Sequence, residues 1–304
     1  MRVLNIGSLN IDYVYRVSRF VRPGETMHAS SLGTGCGGKG LNQSIALARA
    51  GVEVWHAGMI GANGAFLREK LAENGVHTEL VREAPESTGH AIIQVDDSGQ
   101  NSILLYGGAN RCLTEAFVEA ALSRFTPGDL VLLQNETTAV GAAIAGAKRR
   151  GLRVALNAAP ADENLLQMPL EKLDFLLVNE VECAFLAGTE EPEKIAAILT
   201  ARYPATTLVL TLGASGALAA QDGKSVFAEA FQVPVTDTTA AGDTFTGFFL
   251  RGIQEGWPLE ECLHLAAAAA ALAVTRPGAA DSIPFYSEAA AYLAEQQGGT
   301  THGN

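Results

Sequence analysis

The run Thr236-Asp237-Thr238-Thr239-Ala240-Ala241-Gly242-Asp243-Thr244-Phe245 gathers residue types that can do chemistry together. It follows residues 231–235, a short apolar segment that reads as a strand. It precedes residues 245–253, which read as a helix with almost no polar face. Ala240, Ala241 and Gly242 are therefore expected to form a turn, with Asp243 near the first helical turn. Small residues there let a ligand approach the backbone. Unpaired N–H groups at a helix start hold negative charge, and the helix dipole adds to that. A carboxylate beside such an anion hole can take a proton from a hydroxyl while the hole steadies a phosphoryl group in transit. An ordinary capping aspartate before a buried helix has the same spelling, so this run alone leaves both readings open.

A second run, Gly33-Thr34-Gly35-Cys36-Gly37-Gly38-Lys39-Gly40, matches two nucleotide-binding patterns by letter. Gly35, Gly37 and Gly40 have the spacing of the dinucleotide fingerprint. That fingerprint needs a buried strand before it and an acid about 20 residues on. Here Ser30-Ser31-Leu32 precedes it, and the next acid after the helix, Glu53, comes too early. Gly33, Gly38 and Lys39 have the spacing of a Walker A loop, which needs Ser or Thr after the lysine; Gly40 stands there. What remains is a Gly-Gly turn feeding a helix, with Asn42 in its first turn. Backbone groups and an amide suit a polyhydroxylated ligand. Asn10 and Asp12, after the first strand, offer the same chemistry.

The elements that must position these groups follow from pattern. Residues 2–7 read as a buried strand, 11–17 as a half-exposed one, and 26–32 as polar and extended. Helices are expected at residues 40–50 and 63–74, with a strand at 52–57 between them. Residues 90–95 and 102–106 flank Asp96-Asp97-Ser98-Gly99-Gln100 as a hairpin. From about residue 114 the alternation is regular. Helices at 114–124, 138–150, 180–187 and 193–202 alternate with strands at 130–134, 152–156, 174–178 and 207–212. Strands rich in Val and Leu between such helices predict a parallel sheet covered on both faces. The alternating polar strands at 11–17, 26–35, 90–95 and 102–106 predict a small antiparallel sheet inserted into that body, as a lid or a dimerisation surface. Residues 262–274 contain a long alanine run suited to close helix packing, and residues 296–304 are expected to fray.

Composition bounds the function. The 304 residues suffice for a sizeable core. The net charge of −12 disfavours nucleic acid, and the basic trio Lys148-Arg149-Arg150 reads as a solvated helix end. No stretch is long and apolar enough to span a bilayer, and residues 1–7 begin with a strand pattern, so no leader is expected. The 4 cysteines, Cys36, Cys112, Cys183 and Cys262, are scattered, which argues against a zinc site or a disulfide scaffold and suits a reducing cytoplasm.

Together these pieces resemble the ribokinase family of sugar kinases, also called the phosphofructokinase-B family. One family signature lies around Gly37-Gly38-Lys39-Gly40-x-Asn42-Gln43, the other at residues 237–245. Asn179-Glu180-Val181-Glu182 resembles the family's Asn-x-x-Glu motif, and Thr211-Leu212-Gly213-Ala214-Ser215-Gly216 its nucleotide loop. The resemblance runs from about Val3 to Tyr292. It implies a three-layer α/β fold in one domain, residues 1–304, with a mainly parallel central sheet and an inserted antiparallel β lid at about 11–35 and 89–107.

The resemblance also implies a reaction and its residues. Asp243 would be the base that activates a sugar hydroxyl toward the γ-phosphoryl of ATP. Ala240, Ala241 and Gly242 would carry the anion hole with it. Asn10, Asp12, Gly37, Gly38, Lys39, Asn42 and Glu136 would hold the sugar. The segment Gly107-Gly108-Ala109-Asn110 and the Asn10-Ile11-Asp12 contact point to ribose and its 5-hydroxyl. Asn179, Thr211, Gly213, Ser215, Gly216, Gly242 and Ala267 would line the ATP site. Magnesium would sit mostly among phosphates and water, with Glu182 in its shell. A monovalent cation, potassium in the family, would lie near Asp237, Thr239, Ala273, Arg276, Gly278 and Ser282. A homodimer through the lid is implied as well. Cys36 and Leu41 depart from the Phe and Ala common around the first signature, and Pro277 from a frequent Lys; Leu41 would narrow the sugar pocket. Other kinases of sugars or nucleosides, deoxyribose and fructose types included, and a non-catalytic sugar sensor are the alternatives. The intact Asp243 and glycine turn weigh against the sensor.

Overall fold

The computed structural model describes residues 1–189 and 192–299. Its strands in chain order are β1 (Val3–Ile6), β2 (Asn10–Arg16), β3 (Ser31–Gly37), β4 (Val54–Ile60), β5 (His77–Glu83), β6 (Gly89–Val95), β7 (Asn101–Tyr106), β8 (Leu130–Gln134), β9 (Arg153–Asn157), β10 (Phe175–Asn179), β11 (Thr207–Thr211), β12 (Ala217–Gln221) and β13 (Lys224–Ala228). Its helices are α1 (Lys39–Arg49), α2 (Ala65–Glu73), α3 (Glu115–Leu122), α4 (Val140–Arg149), α5 (Glu180–Ala187), α6 (Pro192–Arg202), α7 (Ala241–Glu255), α8 (Leu259–Val274) and α9 (Tyr286–Gly299).

The larger sheet has the order β13-β12-β11-β10-β9-β8-β1-β4-β5. It is parallel from β11 to β5 and antiparallel at β12 and β13. Side chains of a strand alternate between faces, and β8 feeds both cores. Leu130 and Leu132 join a core with residues of α1, α2, α7, α8 and α9. Val131 and Leu133 join the opposite core with residues of α3, α4, α5 and α6. The three-layer architecture expected from the alternation is thus present.

The lid has the order β3-β2-β6-β7. It is a mixed sheet, correcting the expected antiparallel one: β2 pairs with β3 antiparallel and with β6 parallel, and β6 pairs with β7 antiparallel. β2 and β6 follow β1 and β5 out of one parallel sheet, so they leave the body in the same direction. Other corrections are local. Residues 26–30 carry no strand, and the third lid strand is β3. Residues 231–235 are irregular rather than extended in a sheet. The strands β5, β12 and β13 were not expected. Residues 296–299 complete α9, and residues 300–304 of the expected frayed tail lie outside the described residues.

Close helix packing sets the active end of the molecule. α7 lies against both α1 and α8. A Cβ added at Gly247 would stand 2.5 Å from the Ala46 Cβ of α1, and one at Gly252 2.7 Å from the Cys262 sulfur of α8. Only glycine permits that approach, which brings the N-termini of α1 and α7 together. Among the described residues no helix is long and apolar enough to cross a membrane.

Candidate active site

Ala240 adopts the left-handed conformation, φ 61°, at a cost of about 1–2 kcal/mol. It turns the chain into α7, so Asp243 occupies the third helical position rather than the cap. The Asp243 side chain is buried. Asn42 Nδ2 donates to its Oδ2 at 3.0 Å, and Gln43 Nε2 donates to its Oδ1 at 2.8 Å. Regular helical bonding starts with the Thr244 N–H on the Ala240 carbonyl at 2.8 Å. The N–H groups of Gly242 and Asp243 consequently lack an acceptor among the described residues, as helix starts do. The Ala241 N–H is turned to the Thr238 carbonyl at 3.3 Å, so it is a weaker member of the expected anion hole.

A cavity of about 220 Å³ opens at this helix start, with Lys39, Asn179, Glu182, Gly242 and Asp243 in its wall. It adjoins a groove of about 510 Å³, sharing Asn179, Thr211, Thr238, Ala241, Gly242 and Phe245 with it. The groove is largely apolar: Phe231, Val233 and Val235 on one side, Ala267, Ala270 and Val274 of α8 on another. The irregular path of residues 231–235 is explained by this role as a wall. Of the expected nucleotide residues, Asn179, Thr211, Gly213, Gly216, Gly242 and Ala267 line the groove. Ser215 is exposed and lines neither space.

Asn179 and Glu182 form a capping box at the start of α5. The Asn179 Oδ1 accepts from the N–H groups of Val181 and Glu182, and Glu182 Oε2 accepts from the Asn179 N–H at 2.9 Å. Glu182 Oε1 takes no hydrogen bond among the described residues, and the residue lines the cavity. One hard oxygen donor fits an ion held mainly by phosphates and water. No cluster of three or more His, Cys, Asp or Glu suited to a metal occurs among the described residues.

Of the expected sugar residues, Lys39 lines the cavity, whereas Asn10, Asp12 and Gly37 lie on β2 and β3, where the small sheet joins the body. Asn10 and Asp12 sit on β2, opposite Gly37 and Gly35 of β3. A Cβ on Gly37 would fall 2.1 Å from an Asp12 carboxylate oxygen, so the carboxylate occupies the space a side chain would take. Asn110 Nδ2 donates to Asn10 Oδ1 at 2.8 Å. Glu136 Oε2 accepts from the Ser8 hydroxyl and from the Lys39 N–H at 3.1 Å. Burial, then the nearby Glu136 charge, raises the Asp12 pKa to about 7. Burial also pushes Glu136 up, with Lys39 pulling the other way. Burial works against the Lys39 ammonium, but Asp243, Glu136 and Glu182 outweigh it and raise its pKa. Asn42 is drawn to Asp243, and Leu41 packs in the core at 0% exposure.

The expected cation residues are partly assembled. Asp237 accepts from Thr239 N–H at 2.9 Å and from Gly278 N–H at 3.0 Å. The Ala273 carbonyl accepts from the Arg276 N–H at 3.1 Å. The Arg276 guanidinium is engaged by Glu288 at 2.6 Å. Ser282 is buried and donates to the Ala279 carbonyl.

This arrangement has known counterparts. A family model described as pfkB family carbohydrate kinase matches residues 2–285. The chain belongs to the pfkB family of carbohydrate kinases. It is 37% identical to ribokinase of Haemophilus influenzae over 297 residues, covering 95% of this chain and 97% of that protein. Ribokinase from Cryptococcus neoformans, solved with ADP, superposes with a TM-score of 0.84 at 34% identity, covering 95% of this chain and 99% of that one. Arabidopsis thaliana ribokinase, solved with ribose and ATP, superposes with a TM-score of 0.84 at 32% identity, covering 96% and 98%.

Against the pfkB frame, sequence reasoning gave no role to Ser8, Gln43, Thr246 or Asn157. Gln43 carried a signal: adjacent amides at the start of a helix otherwise buried by apolar residues call for a polar partner. Asp12 yields a prediction about pH. A carboxyl raised in the folded state binds more protons there than when unfolded, so stability falls as pH rises between the two values. Asp12→Asn is expected to unfold at higher urea than the parent at pH 8 and to lose that advantage by about pH 4, near the unfolded carboxyl value. An equal difference at both pH values contradicts the assignment.

Proposed function

We propose that this protein transfers the γ-phosphoryl group of ATP to the 5-hydroxyl of D-ribose. The observation that carries the reading is the Asp243 carboxylate, gripped by two amides beside the free N–H groups of Gly242 and Asp243, where the cavity adjoins the groove. The ribokinase relatives, one solved with ribose and ATP, support both substrates.

The groove takes the adenosine between Phe231 to Val235 and the alanine face of α8, which excludes water from the base. The triphosphate runs past Asn179 and Thr211 toward Gly242. Asn10, Asp12, Gly38 and Glu136 hold the sugar hydroxyls, and the lid orders them over the site. Asp243 accepts the proton of the 5-hydroxyl as its oxygen attacks phosphorus. The N–H groups of Gly242 and Asp243 steady the transferring phosphoryl, and Lys39 adds positive charge beside it. Glu182 would stand in the shell of a magnesium ion held mainly by the phosphates and water, which would neutralise their charge. The loop of Asp237, Thr239 and Gly278, with Ala273, Arg276 and Ser282 nearby, would hold a monovalent cation such as potassium and shape the α7 start.

The lid supports a homodimer. On β7, Ile103, Leu104, Leu105 and Tyr106 are 54%, 68%, 50% and 49% exposed. An apolar edge strand of this kind calls for a partner. The free cysteines suit a reducing cytoplasm. Sedimentation is expected at twice the chain mass, falling to the chain mass in Leu104→Glu; a monomeric parent contradicts the dimer.

ADP release with magnesium-ATP is expected to depend on D-ribose and to rise with potassium. Asp243→Asn is expected to lower kcat by about 10²–10⁴-fold, the range for a general base. Ribose-dependent turnover that survives in Asp243→Asn contradicts the assigned base. Turnover with 2-deoxyribose, fructose or a nucleoside but not ribose contradicts the assigned sugar.

A further inference from the structure

Behind Asp243 the structure buries a chain of polar side chains that line neither cavity. Asn5, Gln43, Ser44, His56 and Gln134 are each 0% exposed. An ionised carboxylate only accepts, so the Gln43 amide must turn its NH2 group to Asp243. Its Oε1 then faces away and accepts from Gln134 Nε2 at 2.7 Å. The second hydrogen of Gln134 Nε2 goes to Asn5 Oδ1 at 2.9 Å. Asn5 Nδ2 in turn donates to the Gly40 carbonyl and to Ser44 Oγ, both at 2.8 Å. Ser44 Oγ lies 2.8 Å from His56 Nδ1. Burial lowers the His56 pKa to about 4, so the ring is neutral.

From the Gly40 carbonyl to Asp243, the amides of Asn5, Gln134 and Gln43 are thereby each held in one orientation. A flipped Gln43 would set its oxygen against the carboxylate and its NH2 against the NH2 of Gln134. We propose that Gln43 is a positioning residue for the phosphoryl-transfer step, its orientation dictated by Gln134, and that the pair fixes Asp243 as an aimed carboxylate. This rests on Asp243 being the base. Asn42 alone would leave Oδ1 without a donor and the carboxylate free to rotate. The other charged groups around Asp243 are Lys39 of α1, Glu182 of α5 and Glu136 after β8. All remain when Gln43 is changed, so a shift in its variants reports the lost donor.

The test compares the parent enzyme with Gln43→Met and Gln134→Met, both close in volume. For Gln43→Met we expect kcat to fall about tenfold or more, as for loss of a hydrogen bond to a charged group. The KM values for ribose and ATP should stay within about twofold, because the interaction acts on the reacting group and not on binding. A donor to the carboxylate favours its ionised form, so its loss should also move the acid limb of the kcat profile to higher pH. Gln134→Met should show the same pattern more weakly. Parental kcat and acid limb in both variants would overturn the proposal, as would a fall in kcat/KM carried by KM with the acid limb unmoved. If Gln43→Met fails to fold, Gln134→Met, which keeps Gln43, decides by the same readouts. Asp243→Asn run alongside separates the two claims: activity there removes the base, whereas inactivity there with parental Gln43→Met removes only the positioning role.

Discussion

The contact on which the site depends is the grip of Asn42 and Gln43, consecutive residues of α1, on the two oxygens of Asp243 in α7. It spans about two-thirds of the chain and is buried. A buried carboxylate needs donors to offset its lost hydration; with one on each oxygen it is held in a single orientation. The grip is possible only because Gly247 lets α7 approach α1 so closely. The same approach places the first α7 N–H groups near the start of α1. The proposed base, anion hole and sugar residues are therefore one packing solution.

Charge is arranged around that contact. In an acidic chain, Lys39 stands among Asp243, Glu136 and Glu182, and their attraction outweighs the burial that works against its charge. Without a local cation, a polyphosphate would meet only carboxylates there. Where the small sheet joins the body, burial raises the pKa of both Asp12 and Glu136; the Glu136 charge adds to the first and the Asp243 charge to the second. A polyhydroxylated ligand would relieve that crowding by hydrogen bonding, which gives a physical reason for two acids at the mouth of an anion-binding site.

Much of this was legible in the sequence. Residues 130–134 and 180–187 were read to the residue, because one has four apolar residues in a row closed by Gln134 and the other is capped by Asn179 with Glu182 three positions on. β5 was missed because it is a charged edge strand, His77-Thr78-Glu79-Leu80-Val81-Arg82-Glu83, and edge strands carry such charge to avoid pairing. Ala217-Leu218-Ala219-Ala220 lacks β-branched residues, so β12 had no strand signal. Residues 231–235 had the signal but serve as a wall of the groove. The direction of the β2–β6 pairing is a long-range property of the body, not of either strand. For the site, Asp243, Asn179, Thr211 and the glycines were identified from motifs. The partners of Asp243 were not, because spacing along a chain does not reveal that both neighbouring amides, Asn42 and Gln43, turn to a carboxylate about 200 residues away.

The most direct measurement is a crystal structure with D-ribose and a non-hydrolysable ATP analogue. The account predicts the ribose 5-hydroxyl oxygen about 2.6–3.2 Å from an Asp243 carboxylate oxygen, within reach for proton transfer. It also predicts a γ-phosphoryl oxygen on the N–H groups of Gly242 and Asp243. A ribose seated with its 5-hydroxyl away from Asp243, or a terminal phosphoryl group bound elsewhere, would contradict it.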